Sequence, residues 1–342
     1  MRKKTLIARI FQNEEFESKP RSDGLRELAK LTDVETYTAR NMTDQHAEDV
    51  EAVIADSALF HRSFYEAAKD LRIIARWGVG YDKVNVDIAT ELGVIITVSP
   101  VHMDTVAEYT IAQWMATLKR LYTLNRLSHE GDFSIIRTYD AQGSVLGLYG
   151  FGRIGQQVAS RAQALLGEKG RLLVYDVRPD IRELAQRFGA EAVESPLDLF
   201  CRCDTVSIHV SGDDTIVGYD ELRAMRPHAS LINPSRGNLV DDRAVLRAIE
   251  ENRLWYYVVD DPVNGPREIH KGHPRIICTN HNGGITVEST TRLDCQTFEQ
   301  VADAIEGRQP KHVLNPEVLD HPRVKAFLGR DSRSAFPGKA GS

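Results

Sequence analysis

Three glycines form a G-x-G-x-x-G pattern in the segment Gly150-Phe151-Gly152-Arg153-Ile154-Gly155. An apolar stretch precedes them and a helical pattern follows, so the segment stands where a strand would turn into a helix. In that context the first glycine permits a tight turn, the second lets the backbone approach a pyrophosphate, and the third allows close packing of helix on strand. The N–H groups of a helix N-terminus also attract phosphates. The pattern therefore predicts a dinucleotide site formed by Gly150, Gly152, Arg153, Ile154 and Gly155.

A carboxylate follows the next apolar run. Asp176 comes directly after residues 171–175 and lies 21 positions beyond Gly155. A carboxylate at this place accepts hydrogen bonds from the hydroxyls of the adenine ribose, and it repels a 2′-phosphate. Arg178 stands close enough to weaken that preference. We therefore expect NAD as the cofactor, with NADP as the less favoured alternative.

The glycine-rich segment belongs to a series of strand and helix patterns that begins near Val145. The predicted strands are residues 145–149, 171–175, 205–208, 230–232, 256–259 and 275–277. Helical patterns separate most of them. This alternation predicts a parallel sheet with helices on both faces, which is a doubly wound nucleotide-binding unit.

The first hundred residues show a similar alternation. Apolar runs at 5–11, 53–55, 71–75 and 93–98 are predicted strands between charged stretches of roughly helical length. The chain length of 342 residues also suggests two domains. A long helix is predicted from about Asp104 to Arg126, because apolar residues recur along it at steps of three and four. Such a helix suits a bridge between domains or a subunit interface, and an ordinary core helix is the alternative.

The overall composition narrows the classes of function. The chain is 42% hydrophobic and 27% charged, and no apolar run approaches the ~20 residues that a membrane span needs. We expect a cytoplasmic protein with no membrane partner. A net charge of −6 argues against a general nucleic-acid binder. Because Cys201-Arg202-Cys203 lacks the C-x-x-C spacing of a metal half-site, we expect reduced thiols and no metal site. Residues 331–342 are predicted to be a flexible tail.

Four further segments carry a resemblance to one family. Arg76-Trp77-Gly78-Val79-Gly80-Tyr81-Asp82 resembles the substrate-loop signature of the D-isomer-specific 2-hydroxyacid dehydrogenases, which include phosphoglycerate dehydrogenase. Val106-Ala107-Glu108 resembles the start of their long inter-domain helix. Leu231-Ile232-Asn233-Pro234-Ser235-Arg236-Gly237 resembles their catalytic-arginine turn, and Thr279-Asn280-His281-Asn282-Gly283-Gly284 resembles their catalytic-histidine segment. The match runs over most of the chain.

The resemblance implies an α/β fold of two flavodoxin-like or Rossmann-like domains, with doubly wound parallel sheets and an active site in the cleft between them. The substrate domain would combine residues 1–100 with 286–330, and the NAD-binding domain would span 101–285. The family also implies a homodimer formed through the cofactor domain. Its activity would be the NAD-dependent interconversion of a small D-2-hydroxy acid and its 2-keto acid by hydride transfer.

The resemblance also implies roles for single residues. Arg236 would hold the substrate carboxylate and polarise the carbonyl, because its planar guanidinium pairs with carboxylates and stays charged. His281 would donate a proton to the carbonyl oxygen and accept it in the reverse direction, since imidazole titrates near neutral pH. The backbone N–H groups of Val79 and Gly80 would bind the carboxylate. The predicted cofactor contacts beyond the glycine-rich segment and Asp176 are His209, Val210, Pro234, Ser235, Asp260, His281, Gly283 and Gly284.

One departure from the family pattern concerns the partner of the histidine. The family has a glutamate five residues after the aspartate at Asp260, and this chain has Gly265 there. A carboxylate at that position would fix the orientation of the imidazole and favour its protonated form. Asp261 and Glu268 are candidate substitutes.

Other departures lie near the predicted nicotinamide pocket. Trp255-Tyr256-Tyr257 replaces small residues, and the segment His209-Val210-Ser211-Gly212 lacks the family's proline. These changes keep two alternatives open. One is a non-catalytic NAD(H)-binding regulator. The other is an NAD-dependent enzyme with altered chemistry, in which oxidation is followed by elimination or hydrolysis.

Overall fold

The chain forms two compact units. The computed structural model describes residues 2–212, 214–260 and 271–329. The first unit contains Met1–His102 together with Thr286–Ser342, and the second is the intervening segment Met103–Ile285. The predicted tail at 331–342 lies outside the described residues. Within the described ranges, no helix combines the length and the apolar character needed to cross a bilayer.

The first unit is built on a parallel sheet. Its strands are β1 (Lys4–Ala8), β2 (Asp33–Tyr37), β3 (Asn41–Met42), β4 (Val50–Ala55), β5 (Leu59–Phe60), β6 (Ile73–Arg76) and β7 (Ile95–Thr97), and its helices are α1 (Lys19–Leu31), α2 (Arg62–Ala67), α3 (Val86–Glu91), α11 (Val287–Ile305) and α12 (Pro322–Phe327). Five of these strands form the main sheet in the order β2-β1-β4-β6-β7, and their pairings are parallel. Strands β3 and β5 form a separate two-stranded sheet. Every residue of β4 and β6 is buried, as expected for parallel strands covered on both faces. Helix α11 packs against both strands and against α1.

The second unit holds a larger parallel sheet. Its helices are α4 (Met103–Leu118), α5 (Leu121–His129), α6 (Arg153–Leu166), α7 (Ile181–Arg187), α8 (Pro196–Arg202), α9 (Tyr219–Ala224) and α10 (Asp242–Glu250), and its strands are β8 (Val145–Tyr149), β9 (Arg171–Tyr175), β10 (Glu191–Ala192), β11 (Thr205–Ile208), β12 (Ser230–Asn233), β13 (Tyr256–Val259) and β14 (Ile276–Cys278). The order is β10-β9-β8-β11-β12-β13-β14, with parallel pairings throughout the described strands. The α/β class with parallel sheets is confirmed.

The strand order of this sheet reverses beside β8. Strands β9 and β10 lie on one side of β8, and β11 to β14 lie on the other. Doubly wound sheets bind ligands beyond the carboxyl ends of their strands at such a reversal. The paired strands β8 and β11 end side by side, with Tyr149 opposite Ile208. Gly150 and His209 follow them directly, so the topology brings two predicted cofactor residues to the reversal point.

The prediction of one long helix from Asp104 to Arg126 is wrong. Helix α4 ends at Leu118, and a second helix, α5, begins at Leu121. Arg120 between them has a left-handed backbone (φ 49°), which breaks a right-handed helix. Its guanidinium stacks over the Trp255 ring, 3.9 Å from the centroid. This contact is between residues far apart in sequence, so the apolar periodicity of the segment could not reveal it.

The other element predictions differ from the structure mainly at their ends. The first strand stops at Ala8, and a 3-10 turn, Arg9–Gln12, replaces the predicted continuation to Phe11. Strands β2, β3, β5 and β10 were not predicted from the sequence. They are short or carry charged residues, and they lie at sheet edges or outside the main sheets. Periodicity is weakest for strands of this kind.

Candidate cofactor and catalytic site

The glycine-rich turn joins β8 to α6 through close backbone contacts. Gly150 has φ 95°, and a Cβ added there would lie 2.5 Å from the carbonyl oxygen of His209. A Cβ on Gly155 would lie 2.5 Å from the carbonyl oxygen of Gly150. A Cβ on Gly152 meets no heavy atom of the described chain within 4 Å. The first and third glycines are therefore required for packing, whereas the second is compatible with a side chain as far as the protein itself is concerned.

Asp176 fixes the same turn from the end of β9. One carboxylate oxygen accepts a hydrogen bond from the Phe151 N–H at 2.6 Å, and the other accepts from the Arg178 N–H at 3.0 Å. The guanidinium of Arg178 pairs with both carboxylate oxygens of Asp180, at 2.5 and 2.9 Å. Arg178, which would weaken the predicted preference for NAD, is thus held in an ion pair with Asp180.

His209 follows β11, and its backbone N–H donates to the Tyr149 carbonyl at 2.6 Å. Both ring nitrogens are buried without a hydrogen-bond partner in the described part of the chain. Burial lowers the pKa of His209 to about 3, so the ring is neutral at physiological pH. A neutral imidazole offers one donor and one acceptor, and buried polar atoms normally have partners. These orphaned nitrogens fit a polar cofactor group, and Val210 lies beside them with its side chain partly packed on the core.

Arg236 follows β12 in a turn held by a buried amide. The side chain of Asn233 is fully buried; its nitrogen donates to the Arg236 carbonyl at 2.8 Å, and its oxygen accepts from the Ser235 N–H at 3.1 Å. The Ser235 hydroxyl donates to the Ile208 carbonyl at 2.9 Å and ties the turn to β11. Pro234 lies within this turn. The half-buried Arg236 guanidinium also donates to the Ser235 carbonyl at 3.0 Å.

The segment that contains His281 is held by Asp260. This buried carboxylate accepts hydrogen bonds from the Thr279 hydroxyl at 2.6 Å, from the Asn282 N–H at 2.9 Å and from the Gly283 N–H at 2.6 Å. His281 has a left-handed backbone (φ 56°) and an exposed ring. The predicted contact between Asp260 and the cofactor stays a prediction. The structure shows that Asp260 orders the His281 and Gly283 segment, which Gly284 continues.

Strands β12 and β13 connect the arginine turn to the histidine segment. The Asp260 N–H donates to the Asn233 carbonyl at 3.0 Å. Asn233 orders the turn before Arg236, and Asp260 orders the segment around His281. The two predicted catalytic residues are therefore held by neighbouring backbone positions.

Val79 and Gly80 belong to the first unit, in the loop after β6. The buried Arg76 side chain donates to the Gly80 carbonyl at 2.7 Å. The Trp77 indole N–H donates to the Asp294 carboxylate at 2.7 Å, and that carboxylate also pairs with the buried Arg21. These contacts fix the loop backbone, which is what a carboxylate-binding loop needs. The predicted substrate contacts of Val79 and Gly80 stay predictions.

Comparison with known proteins decides the family. The family described as D-isomer specific 2-hydroxyacid dehydrogenase, NAD binding domain, matches residues 111–283, about half of the chain. The chain belongs to this dehydrogenase family. A glyoxylate reductase from Korarchaeum cryptofilum is 32% identical over 271 residues, which are 75% of this chain and 79% of that protein. A D-3-phosphoglycerate dehydrogenase from Methanocaldococcus jannaschii is 28% identical over 308 residues, which cover 86% of this chain and 57% of that one.

Solved structures agree on the fold of this 2-hydroxyacid dehydrogenase. A glyoxylate reductase from Paecilomyes thermophila superimposes with a TM-score of 0.76 at 22% identity, covering 93% of this chain and 99% of that chain. The 2-hydroxyacid dehydrogenase from Ketogulonicigenium vulgare gives the same TM-score at 21% identity. The prediction of NAD as the cofactor is confirmed by the family match, and the glycine-rich turn with the orphaned nitrogens of His209 fits that group.

Some features of this dehydrogenase were not assigned from sequence. Asn233 and Thr279 lie within the quoted motifs, but they had no predicted role. Tyr109 on α4 was not singled out, although its hydroxyl lies 2.7 Å from that of Thr279. A signal for Asn233 exists in the sequence, because Asn before Pro-Ser is typical of a side chain that bonds its own turn. Gly265 and the two candidate substitutes, Asp261 and Glu268, lie outside the described residues.

Proposed function

We propose that this chain interconverts a small D-2-hydroxy acid and the corresponding 2-keto acid with NAD as the hydride carrier. The proposal rests on the hydrogen bond between the backbones of Asp260 and Asn233. Asn233 orders the turn that contains Arg236, and Asp260 orders the segment that contains His281, so both segments are held at neighbouring positions. A cationic fork and an imidazole supported together in this way suit a keto acid, which carries a carboxylate beside a carbonyl.

The roles of the residues follow from their chemistry. Arg236 pairs with the substrate carboxylate and stabilises the negative charge that develops on the carbonyl oxygen. His281 donates a proton to that oxygen during reduction and removes it during oxidation. Val79 and Gly80 bind the carboxylate through backbone N–H groups. When bound, the nicotinamide would supply or accept the hydride. Asp260 accepts three hydrogen bonds from the protein and, since a carboxylate accepts about four, would have room for one from the cofactor.

The experiment is a turnover assay followed by NADH absorbance. The substrates are glyoxylate, hydroxypyruvate, 3-phosphohydroxypyruvate and pyruvate, the first and third suggested by the names of relatives. His281→Ala and Arg236→Ala should each lower kcat/KM by about 10²–10⁴-fold, the usual contribution of a positioned general acid or base. NADH fluorescence titration serves as the control, because both variants should still bind the cofactor.

The result also separates the two other functions. NADH binding without turnover of any keto acid, together with a protein partner recovered on purification, would replace the proposal with a regulator. A product other than the 2-hydroxy acid would replace it with an altered reaction. Wild-type turnover in either variant would remove that residue from the mechanism.

We also propose that the chain forms a homodimer through its second unit. Helix α5 has no buried residue. Leu121 at its start is 52% exposed, and in the segment after it Phe133 is 81% exposed and Ile135 is fully exposed. Large apolar side chains grouped on one surface segment are typical of a subunit interface. A second copy of this chain is the occupant that the family resemblance favours.

A further inference from the structure

His281 has a backbone conformation that few residues other than glycine adopt. Its φ of 56° lies in the left-handed region, where a Cβ is crowded. Such a conformation persists only when the surrounding structure imposes it, and it is found most often at functional sites. Asp260 constrains this conformation, because it binds the two N–H groups that follow His281 in sequence. The direction of the imidazole therefore depends on how firmly Asp260 is held.

We propose that Tyr109 is a positioning residue for His281, acting through Thr279 and Asp260, an inference that rests on the proposed dehydrogenase function. The Tyr109 hydroxyl lies 2.7 Å from the Thr279 hydroxyl, which lies 2.6 Å from the Asp260 carboxylate. Tyr109 is on α4, Thr279 follows β14, and Asp260 follows β13. These three residues form a chain of hydrogen bonds from a helix to the histidine segment.

The direction of the protons in this chain can be assigned. The Thr279 hydroxyl has one proton, and it donates that proton to the Asp260 carboxylate. The Tyr109 hydroxyl must then be the donor to the Thr279 oxygen. Burial raises the pKa of the Tyr109 phenol, which keeps it protonated and able to donate. Successive donors polarise one another, so the bond from Tyr109 strengthens the bond from Thr279 to Asp260.

The Tyr109 ring supplies a second contact with the same segment. A Cβ added to Gly283 would lie 2.6 Å from an Asp260 oxygen and 3.1 Å from atoms of the Tyr109 ring. The carboxylate and the ring therefore both lie beside the Gly283 Cα, in the space that a side chain would need. The hydroxyl and the ring of Tyr109 act together to hold the two residues after His281. The orientation of the His281 ring relies more on this support of its backbone, because the sequence has Gly265 where the family's glutamate would orient the imidazole directly.

The test uses variants that remove single hydroxyl groups. Tyr109→Phe keeps the ring and breaks only the hydrogen bond, whereas Thr279→Val keeps the shape of the side chain and breaks both bonds. Thr279→Ser restores the hydroxyl and is the rescue variant. Thr117→Val is the matched control, because the Thr117 hydroxyl is also buried on α4 but donates to the Trp114 carbonyl at 2.9 Å.

We expect Tyr109→Phe and Thr279→Val each to lower kcat by about 10-fold, with KM and NADH affinity within about twofold of wild type. The double variant should lose little more than either single variant, because both remove the same chain of bonds. Thr279→Ser and Thr117→Val should keep the wild-type kcat. A wild-type kcat in Tyr109→Phe, or an equal loss in Thr117→Val, would overturn the inference.

A second readout does not depend on turnover. In protein labelled with carbon-13 at the histidine rings, the His281 resonance is the one that disappears in His281→Ala. Tyr109→Phe should shift or broaden this resonance, and Thr117→Val should leave it unchanged. If the wild type turns over no substrate, the proposed function fails while this measurement still decides the role of Tyr109. An unchanged His281 resonance in Tyr109→Phe would refute that role.

Discussion

Replacing Gly152 with alanine should weaken NADH binding and leave the fold intact. Gly152 is the N-cap of α6, with φ −70° and ψ −162°, an extended conformation that alanine adopts freely. The added Cβ would meet no described heavy atom within 4 Å. It would stand on the backbone face that a pyrophosphate must approach. The substitution therefore separates binding of the cofactor from stability of the protein.

The size of both effects can be estimated. Alanine is a poorer N-cap than glycine, which destabilises the protein by less than about 1 kcal/mol. It also lowers the conformational entropy of the unfolded chain, which stabilises the protein by about 0.4–1 kcal/mol. Because the two effects oppose each other, the free energy of unfolding should change by less than about 1 kcal/mol. A hydrogen bond to a charged group contributes about 1.5–3 kcal/mol. Loss of one such bond between the pyrophosphate and a backbone N–H group should raise the Kd for NADH by about 10–100-fold.

Gly155→Ala is the matched control on the same turn. Its Cβ would lie 2.5 Å from the Gly150 carbonyl oxygen, a backbone atom that cannot rotate away. We expect it to destabilise the protein by about 1–3 kcal/mol through overpacking. Thermal unfolding followed by circular dichroism and NADH fluorescence titration measure the two quantities. Wild-type NADH affinity in Gly152→Ala, or wild-type stability in Gly155→Ala, would refute the reasoning.

Three further predictions concern pH, cofactor choice and assembly. Because the pKa of His209 falls from 6.5 to about 3 on folding, the unfolded chain binds an extra proton between these values. The free energy of unfolding should then fall as the pH is lowered through this window, by up to about 1.4 kcal/mol per pH unit. Denaturant titrations at several pH values should show a smaller change of this free energy with pH in His209→Asn than in the wild type. An equal change in both proteins would contradict the burial argument. Asp180→Asn should free Arg178 from its ion pair and improve NADPH affinity relative to NADH by about threefold to 10-fold, since Arg suits a 2′-phosphate. Adding Arg178→Gln should reverse that gain, and an unchanged ratio in Asp180→Asn would show that the pair does not control cofactor choice. Replacing both Phe133 and Ile135 with lysine should give a monomer in sedimentation, whereas a persistent dimer would place the interface elsewhere.

Much of the second unit could be predicted from short patterns. Strands β8, β9, β11 and β13 have the bounds expected from their apolar runs. These strands are buried over most of their length, so apolar residues dominate them, although β11 also contains Thr205 and Ser207. The long helix was not predicted as two, because no breaker residue marks the left-handed Arg120, and its contact with Trp255 joins residues far apart along the chain.

The site divides in the same way. The spacing of Gly150, Gly152 and Gly155 after a strand, and the position of Asp176 after the next, are local features that predicted the NAD turn. The motifs around Arg236 and His281 are also local, and the catalytic roles that they imply stay predictions. Each of these signals lies within a few residues or one strand–helix–strand unit, where chain geometry is nearly the same in all proteins.

Tertiary structure decided how those residues are held. Nothing in the local pattern indicated that the Asp176 carboxylate would bind the Phe151 N–H, or that both nitrogens of His209 would be buried. The contact of Tyr109 with Thr279 joins a helix to a strand end 170 residues away. A hydrogen bond requires its atoms within about 3 Å, and only the packed sheet fixes distances between remote segments that closely.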